Sequence, residues 1–123
     1  MALGKIKADT LEHSTAGSVD TQFMVKGSAK AWCFFEGDGT VSLLNSLNHA
    51  SISDLGTGQY SVTYTTSFSS IQYAANVTGS TSRSGTNDTD TNATGGITYE
   101  FFYATSTKAD PAQAYCAIHG DLA

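Results

Sequence analysis

The chain has 123 residues, enough for one domain with its own core but too few for two. Its net charge is −5 and its six Lys and Arg residues are scattered, which argues against binding to nucleic acid or to an anionic membrane surface. Charged residues make up only 14 %, whereas Ser and Thr supply about a quarter, and this composition favours strands over helices.

Residues 1–20 differ from the rest and predict an extended N-terminal arm. The segment shows neither strand alternation nor a helical stripe, and its start lacks the apolar core of a secretory signal, which predicts synthesis in a cytoplasm. A disordered tail is the alternative, but such a tail has no need of Leu and Ile at intervals. The predicted contacts of this arm region with a partner are Leu3, Ile6, Leu11, Val19 and Phe23.

Residues 21–123 are predicted to form a β domain whose strands are separated by glycine-containing turns. Residues 21–25 predict a first strand, and residues 29–35 predict the strongest one, with Trp32 and Phe34 on one face and Cys33 and Phe35 on the other. The triplet 37–39 (Gly-Asp-Gly) then predicts a hairpin turn into a return strand over 40–44.

A second hairpin is the most distinct local pattern in the chain. Strands over 49–55 and 59–65 flank the turn 56–58 (Gly-Thr-Gly), and Tyr60, Val62 and Tyr64 alternate toward one buried face. Residues 79–96 hold almost no apolar side chain and predict an exposed loop. Further strands are predicted over 72–78, 97–104 and 115–119. Seven or eight short strands indicate an all-β, antiparallel, jelly-roll-like β-sandwich.

Chemical motifs are sparse, and the chain is predicted to be neither an enzyme nor a holder of a metal or cofactor. His13, His49 and His119 are isolated in sequence, and no serine lies in a nucleophile-elbow motif. Residues 87–92 alternate oxygen ligands, so they form either a calcium site or, as we favour, a plain solvated loop. Cys33 and Cys116 are expected to be buried thiols rather than a disulfide in a reducing compartment.

Aromatic residues are more numerous than one small sandwich needs. Consecutive aromatics place apolar side chains on both faces of two predicted strands, and a subunit interface would cover the surplus. A tyrosine or tryptophan could alternatively stack on a sugar ring. The candidates for an oligomer interface are Trp32, Phe34, Phe35, Phe101, Phe102 and Tyr103.

Three stretches resemble a module of virion proteins of aquatic tailed phages, often called tail-fibre proteins. They are 29–41 (Ala-Lys-Ala-Trp, then Phe34 and Gly-x-Gly-Thr-Val), 52–62 (Ile-Ser-Asp-x-Gly-Thr-Gly-x-Tyr-x-Val) and 115–121 (Tyr-x-Ala-Ile-x-Gly-Asp). The opening residues 1–14 also resemble the start of short phage proteins that carry this module. Cys33 and Cys116 depart from the aliphatic residues expected at their positions.

The resemblance implies a structural component of a phage virion that is assembled in the host cytoplasm and forms a trimer. A short arm ahead of one compact domain suits a capsid decoration (cement) protein, which binds the major capsid protein or other virion proteins. The alternative is a tail fibre or receptor-binding module that recognises host surface glycan. Neither function involves direct contact with nucleic acid or membrane.

Overall fold

A computed structural model describes residues 4–104 and 106–123. In these residues the chain forms one short helix and eleven strands, numbered here in chain order. The elements are β1 (Thr10–His13), β2 (Gly17–Asp20), α1 (Thr21–Gly27), β3 (Ala31–Glu36), β4 (Ser42–Leu47), β5 (His49–Gly56), β6 (Gln59–Tyr64), β7 (Ala74–Gly79), β8 (Arg83–Ala93), β9 (Gly96–Tyr103), β10 (Thr107–Lys108) and β11 (Gln113–His119).

The strands from β3 onward belong to one antiparallel sheet that folds over on itself. Their order is β4-β3-β11-β7-β8-β9-β6-β5, and β10 pairs with β9. The two edge strands, β4 and β5, follow each other in the chain and contact one another, so the sandwich nearly closes into a barrel. The prediction of an all-β antiparallel fold is confirmed.

The core is formed by alternate residues of the strands, because successive side chains of a strand point to opposite faces. Phe35 of β3 packs among aromatic rings of the opposite layer: its ring centroid lies 5.2 Å from that of Tyr60 and 6.0 Å from that of Phe101. The buried apolar side chains are Ala31, Cys33, Phe35, Tyr60, Val62, Tyr64, Phe68, Ile97, Tyr99, Phe101, Ala114, Cys116 and Ile118.

The β5–β6 hairpin turn forms at the predicted glycines. Gly58 has a φ of +68°, and a Cβ atom built on it would lie 2.6 Å from the carbonyl oxygen of Phe101, so a larger residue does not fit. A carboxylate oxygen of Asp110 accepts hydrogen bonds from the Gly58 N–H at 2.6 Å and from the Tyr60 hydroxyl at 2.8 Å. These contacts tie the turn to the connection between β10 and β11.

The N-terminal segment is a hairpin and not the extended arm that the sequence predicted. Strands β1 and β2 pair antiparallel, with Thr10 opposite Asp20. The chain can reverse because Gly17 adopts a φ of +92° and because the Nδ1 atom of His13 accepts hydrogen bonds from the backbone N–H groups of Thr15 and Ala16. Local polar contacts therefore stabilise a fold that no hydrophobic pattern indicated.

The prediction of a strand over 21–25 is wrong, because these residues belong to α1. Gln22, Met24 and Lys26 are good helix formers. The first helical residue is held by the segment before β1: the Thr21 N–H donates to the carbonyl oxygen of Asp9 at 2.8 Å, and its hydroxyl donates to that of Ala8 at 2.7 Å. The helix therefore continues the N-terminal hairpin and does not join the sheet.

The prediction of a loop over 79–96 is also wrong, because β8 occupies most of this range. Its backbone pairs with β9 from Arg83 opposite Tyr103 to Asp88 opposite Thr98. The backbone hydrogen bonds of β9 stabilise this strand, which requires little burial of its polar side chains. In residues 87–92, for which a calcium site was the alternative to a solvated loop, the Asp88 carboxylate accepts a hydrogen bond from the Asp90 N–H at 3.1 Å, as in an ordinary polar turn.

Candidate functional site

The N-terminal unit, defined here as residues 4–28, exposes apolar side chains to solvent. Ile6 is 92 % exposed and Phe23 is 65 % exposed, and none of the residues of α1 is buried. The predicted contact residues Leu11 and Val19 are also exposed, whereas Leu3 lies outside the described residues. All the described candidates are therefore accessible to a partner.

Part of this exposed apolar surface is concave. A cleft between the segment before β1 and the helix is lined by Ile6, Leu11 and Val25 together with polar residues. Such clefts accept apolar side chains of a partner more readily than a flat polar surface does. The helix adds Met24 beside Phe23 and Val25, and sequence reasoning had not included Met24 or Val25 among the contacts.

The structure divides the six interface candidates between the two faces of the sheet. Phe35 and Phe101 point inward and have no exposed surface, so the prediction that they contact another subunit is wrong. Their burial follows from strand alternation, which places only every second side chain outside. Phe102 is half-buried and Tyr103 is exposed, with the Arg83 guanidinium 5.1 Å from its ring centroid.

The other two candidates lie on the outer side of β3, on a surface we call the outer aromatic face (Trp32, Phe34, Leu47 and Tyr115). Phe34 stacks on Tyr115 of β11 with ring centroids 4.9 Å apart and planes 10° from parallel. Trp32 lies opposite Leu47 of β4 in the sheet register. Leu47 and Tyr115 are each about half exposed, so an apolar surface faces solvent here.

A second site, which sequence reasoning missed, lies inside the core. Cys33 of β3, His49 of β5 and Cys116 of β11 are all buried, and their thiol and imidazole atoms all lie within 4.8 Å of one another. The two Sγ atoms are 2.7 Å apart. Cys116 Sγ lies 3.7 Å from His49 Nε2 and accepts a hydrogen bond from the Tyr99 hydroxyl at 3.1 Å.

Backbone contact fixes the orientation of the His49 ring. Its Nδ1 atom lies 3.1 Å from the carbonyl oxygen of Leu47. A carbonyl can only accept a hydrogen bond, so Nδ1 carries the proton and Nε2 presents its lone pair to Cys116. The imidazole is therefore oriented to accept a proton from the thiol of Cys116.

The two thiols differ in acidity. The pKa of the Cys116 thiol is lowered from its ordinary value mainly by its hydrogen bond with Cys33, and the His49 ring and the Tyr99 hydroxyl add to this effect against the opposing effect of burial. The hydrogen bond to Cys116 and burial raise the pKa of Cys33. Of the two thiols, Cys116 is the one that contacts both the Tyr99 hydroxyl and the His49 ring.

The sequence did contain a signal for this cluster. Cys33 and Cys116 occupy inward positions of β3 and β11, where the neighbouring inward positions carry apolar side chains, whereas the residues that follow His49 in β5 are mostly exposed. The three histidines do not converge, because His13 lies in the N-terminal unit, and His49 lies instead beside the two cysteines.

Comparison of the chain with protein-family models, with curated proteins and with solved structures finds no match. Over the described residues, no helix has the length and apolar character needed to cross a membrane.

Proposed function

We propose that this chain is a structural protein of a phage virion that docks on the particle surface through its N-terminal unit. The observation that supports the proposal most is the exposure of Ile6, Leu11 and Phe23 on a small unit outside the sandwich core. Apolar side chains of this size are unfavourable in water and are expected to be covered in the working state of the protein. The acidic, Ser- and Thr-rich sandwich suits a hydrated exterior.

The favoured role is that of a capsid decoration protein bound to the major capsid protein. The N-terminal unit would contact the shell, and the sandwich would cover it from outside. Several copies held together would bind more strongly than one copy, because the first contact raises the effective concentration of the others. The alternative role is recognition of host glycan by a tail fibre, for which an exposed loop over 79–96 would be one contact region, but β8 occupies most of that range.

We propose further that copies of the chain associate through the outer aromatic face, as the trimer implied by the resemblance requires. Phe34 and Tyr115 form a flat stacked pair beside the half-exposed Leu47, and aromatic residues of this kind dominate the energetics of protein interfaces. Phe102 and Tyr103 remain secondary candidates for this contact.

The docking proposal is tested with particles that lack this protein. Phe23 and Val25 are replaced together by Ser, and the matched control replaces the similarly exposed Leu55 and Ile71 of the sandwich by Ser. We expect at least a tenfold loss of particle binding for the first variant and little change for the second, measured by co-sedimentation. Equal binding of both variants at wild-type strength would refute docking through the N-terminal unit.

The association proposal is tested by analytical ultracentrifugation. Tyr115→Glu should shift the protein from trimer to monomer, whereas Leu55→Glu, at the tip of the β5–β6 hairpin, should leave the trimer intact. A wild-type protein that sediments as a monomer at all accessible concentrations would refute the proposed assembly. Binding of the wild-type protein to a glycan array, without binding to particles, would favour the tail-fibre alternative.

A further inference from the structure

Cys33 and Cys116 lie directly opposite each other on two neighbouring antiparallel strands. The register of β3 and β11 pairs these residues, with Phe35 opposite Ala114 and Ala31 opposite Ile118 on either side. Directly opposite residues of such strands have Cα atoms about 4.5–5.5 Å apart. This spacing falls inside the range of about 4.4–6.8 Å that a disulfide requires. The backbone can therefore accept a covalent bond at this position without rearrangement.

The sulfur atoms are also much closer than two unbonded thiols normally rest. Their separation of 2.7 Å is shorter than a relaxed thiol–thiol contact, and Cys33 and Cys116 are both enclosed by core side chains. We propose that Cys33 and Cys116 are a site of covalent modification, which oxidation converts into a disulfide that links β3 to β11 inside the core. This inference is independent of the proposed function.

A metal ion bound by the same residues is the competing explanation. Two thiols and an imidazole are common zinc ligands. Two thiolates bound to one tetrahedral zinc ion, however, lie about 3.8 Å apart, given Zn–S bonds of about 2.3 Å. The observed 2.7 Å is closer to the S–S bond length of about 2.05 Å than to this value. The geometry thus favours the disulfide.

The surrounding groups favour Cys116 as the sulfur that reacts first. His49 Nε2 lies 3.7 Å from Cys116 Sγ and can take its proton, and the Tyr99 hydroxyl donates to the same sulfur. Besides Cys33, the described side chains within hydrogen-bond reach of Cys116 Sγ are His49 and Tyr99, and the buried Tyr64 lies near enough to interact with both thiols electrostatically. The lowered pKa of Cys116 agrees with this assignment.

The oxidant is a low-molecular-weight disulfide such as oxidised glutathione. The thiolate of Cys116 attacks one sulfur of this disulfide, forms a mixed disulfide and releases one glutathione thiolate, which takes up a proton. Cys33 then loses its proton and attacks Cys116 Sγ, which breaks the mixed disulfide and releases the second glutathione. The protein loses two electrons and two protons, and oxidised glutathione gains them as two thiols. Because both cysteines are buried, glutathione reaches Cys116 during local opening of the folded core.

The bond would have a large effect on stability because it closes a long loop. The two residues are 83 positions apart and join the first and last strands of the sandwich. Cross-links that close loops of this length stabilise proteins mainly by restricting the unfolded chain. We expect the oxidised protein to melt on the order of 15 °C above the reduced protein.

The experiment measures the thiol content and melting temperature of the full chain after refolding with oxidised glutathione or with dithiothreitol. Denatured samples are treated with iodoacetamide, and intact mass is recorded. The proposal predicts two adducts on the reduced sample and none on the oxidised sample, whose mass before alkylation is lower by two hydrogen atoms than that of the reduced sample. Two adducts in both samples would refute it.

Two further measurements separate the disulfide from other outcomes. The double variant Cys33→Ala/Cys116→Ala should melt at the same temperature in both buffers, whereas the wild type should not. The reduced wild type is also titrated with Co²⁺ under anaerobic conditions. Stoichiometric binding with thiolate-to-cobalt absorption, together with failure to form the disulfide in oxidised glutathione, would overturn the proposal in favour of a metal site.

Discussion

Replacement of Phe35 by Ala, with Phe34→Ala as the matched comparison, tests which face of β3 points into the core. Phe35 is fully buried and packs within 5.2–6.4 Å, centroid to centroid, of three aromatic rings. Removing a buried phenylalanine side chain costs about 3–5 kcal/mol through lost transfer energy and the cavity that remains. Phe34 points outward and loses mainly its stacking on Tyr115, so Phe34→Ala should cost about 1 kcal/mol.

The assay is equilibrium unfolding in urea, followed by circular dichroism. For a slope of about 2 kcal/mol/M, the midpoint should fall by about 2 M for Phe35→Ala and by about 0.5 M for Phe34→Ala. The series is repeated at several protein concentrations, because loss of self-association makes apparent stability concentration-dependent. Equal midpoint shifts for the two variants, or a larger shift for Phe34→Ala, would refute the assignment of faces.

Three further predictions concern turns and buried hydroxyl groups. In thermal unfolding, Gly39→Ala should cost about 1–2 kcal/mol, because Gly39 has a positive φ. Gly58→Ala should cost more, because Gly58 has a positive φ and is also crowded by backbone atoms. Equal losses of stability for the two variants would contradict this. Tyr60→Phe should cost about 1–3 kcal/mol in urea unfolding, since its hydroxyl lies within hydrogen-bond distance of the buried Gly37 carbonyl and of the Asp110 carboxylate and donates to one of them, and an unchanged midpoint would contradict the hydrogen bond. Burial raises the pKa of Tyr60, Tyr64 and Tyr99, so their stabilising effect is complete below the ordinary tyrosine pKa of about 10 and is lost as pH rises above it. Their phenolate absorbance should therefore increase only together with loss of the folded circular dichroism signal, and ionisation of all three in the folded protein would contradict their burial.

Most of the sandwich could be predicted because strand alternation is a local property. In β6, Tyr60, Val62 and Tyr64 repeat every second residue, and the structure buries all three. In β3, the same period assigned Phe35 to one face and Phe34 to the other. The error at Phe35 concerned which face was the core, since both faces of this strand carry aromatic residues and the sequence alone gives no preference.

The elements that were mispredicted are stabilised by polar backbone contacts. The strand β8 depends on hydrogen bonds to β9, and the helix α1 begins where Thr21 contacts Ala8 and Asp9. Hydrophobic periodicity does not report such contacts, because the partners are backbone groups that every residue carries. A polar segment can therefore be a loop or a paired strand, depending on the segment that lies beside it.

The amino-acid sequence by itself determined the β class, the alternation of most strands and the positions of the main turns, since these depend on neighbouring residues along the chain. Only the tertiary structure decided which strands are adjacent, and adjacency brings Cys33, His49 and Cys116 together from three separate strands. The physical reason is that the sheet order follows from how all the apolar faces are buried at once, and no single segment contains that information.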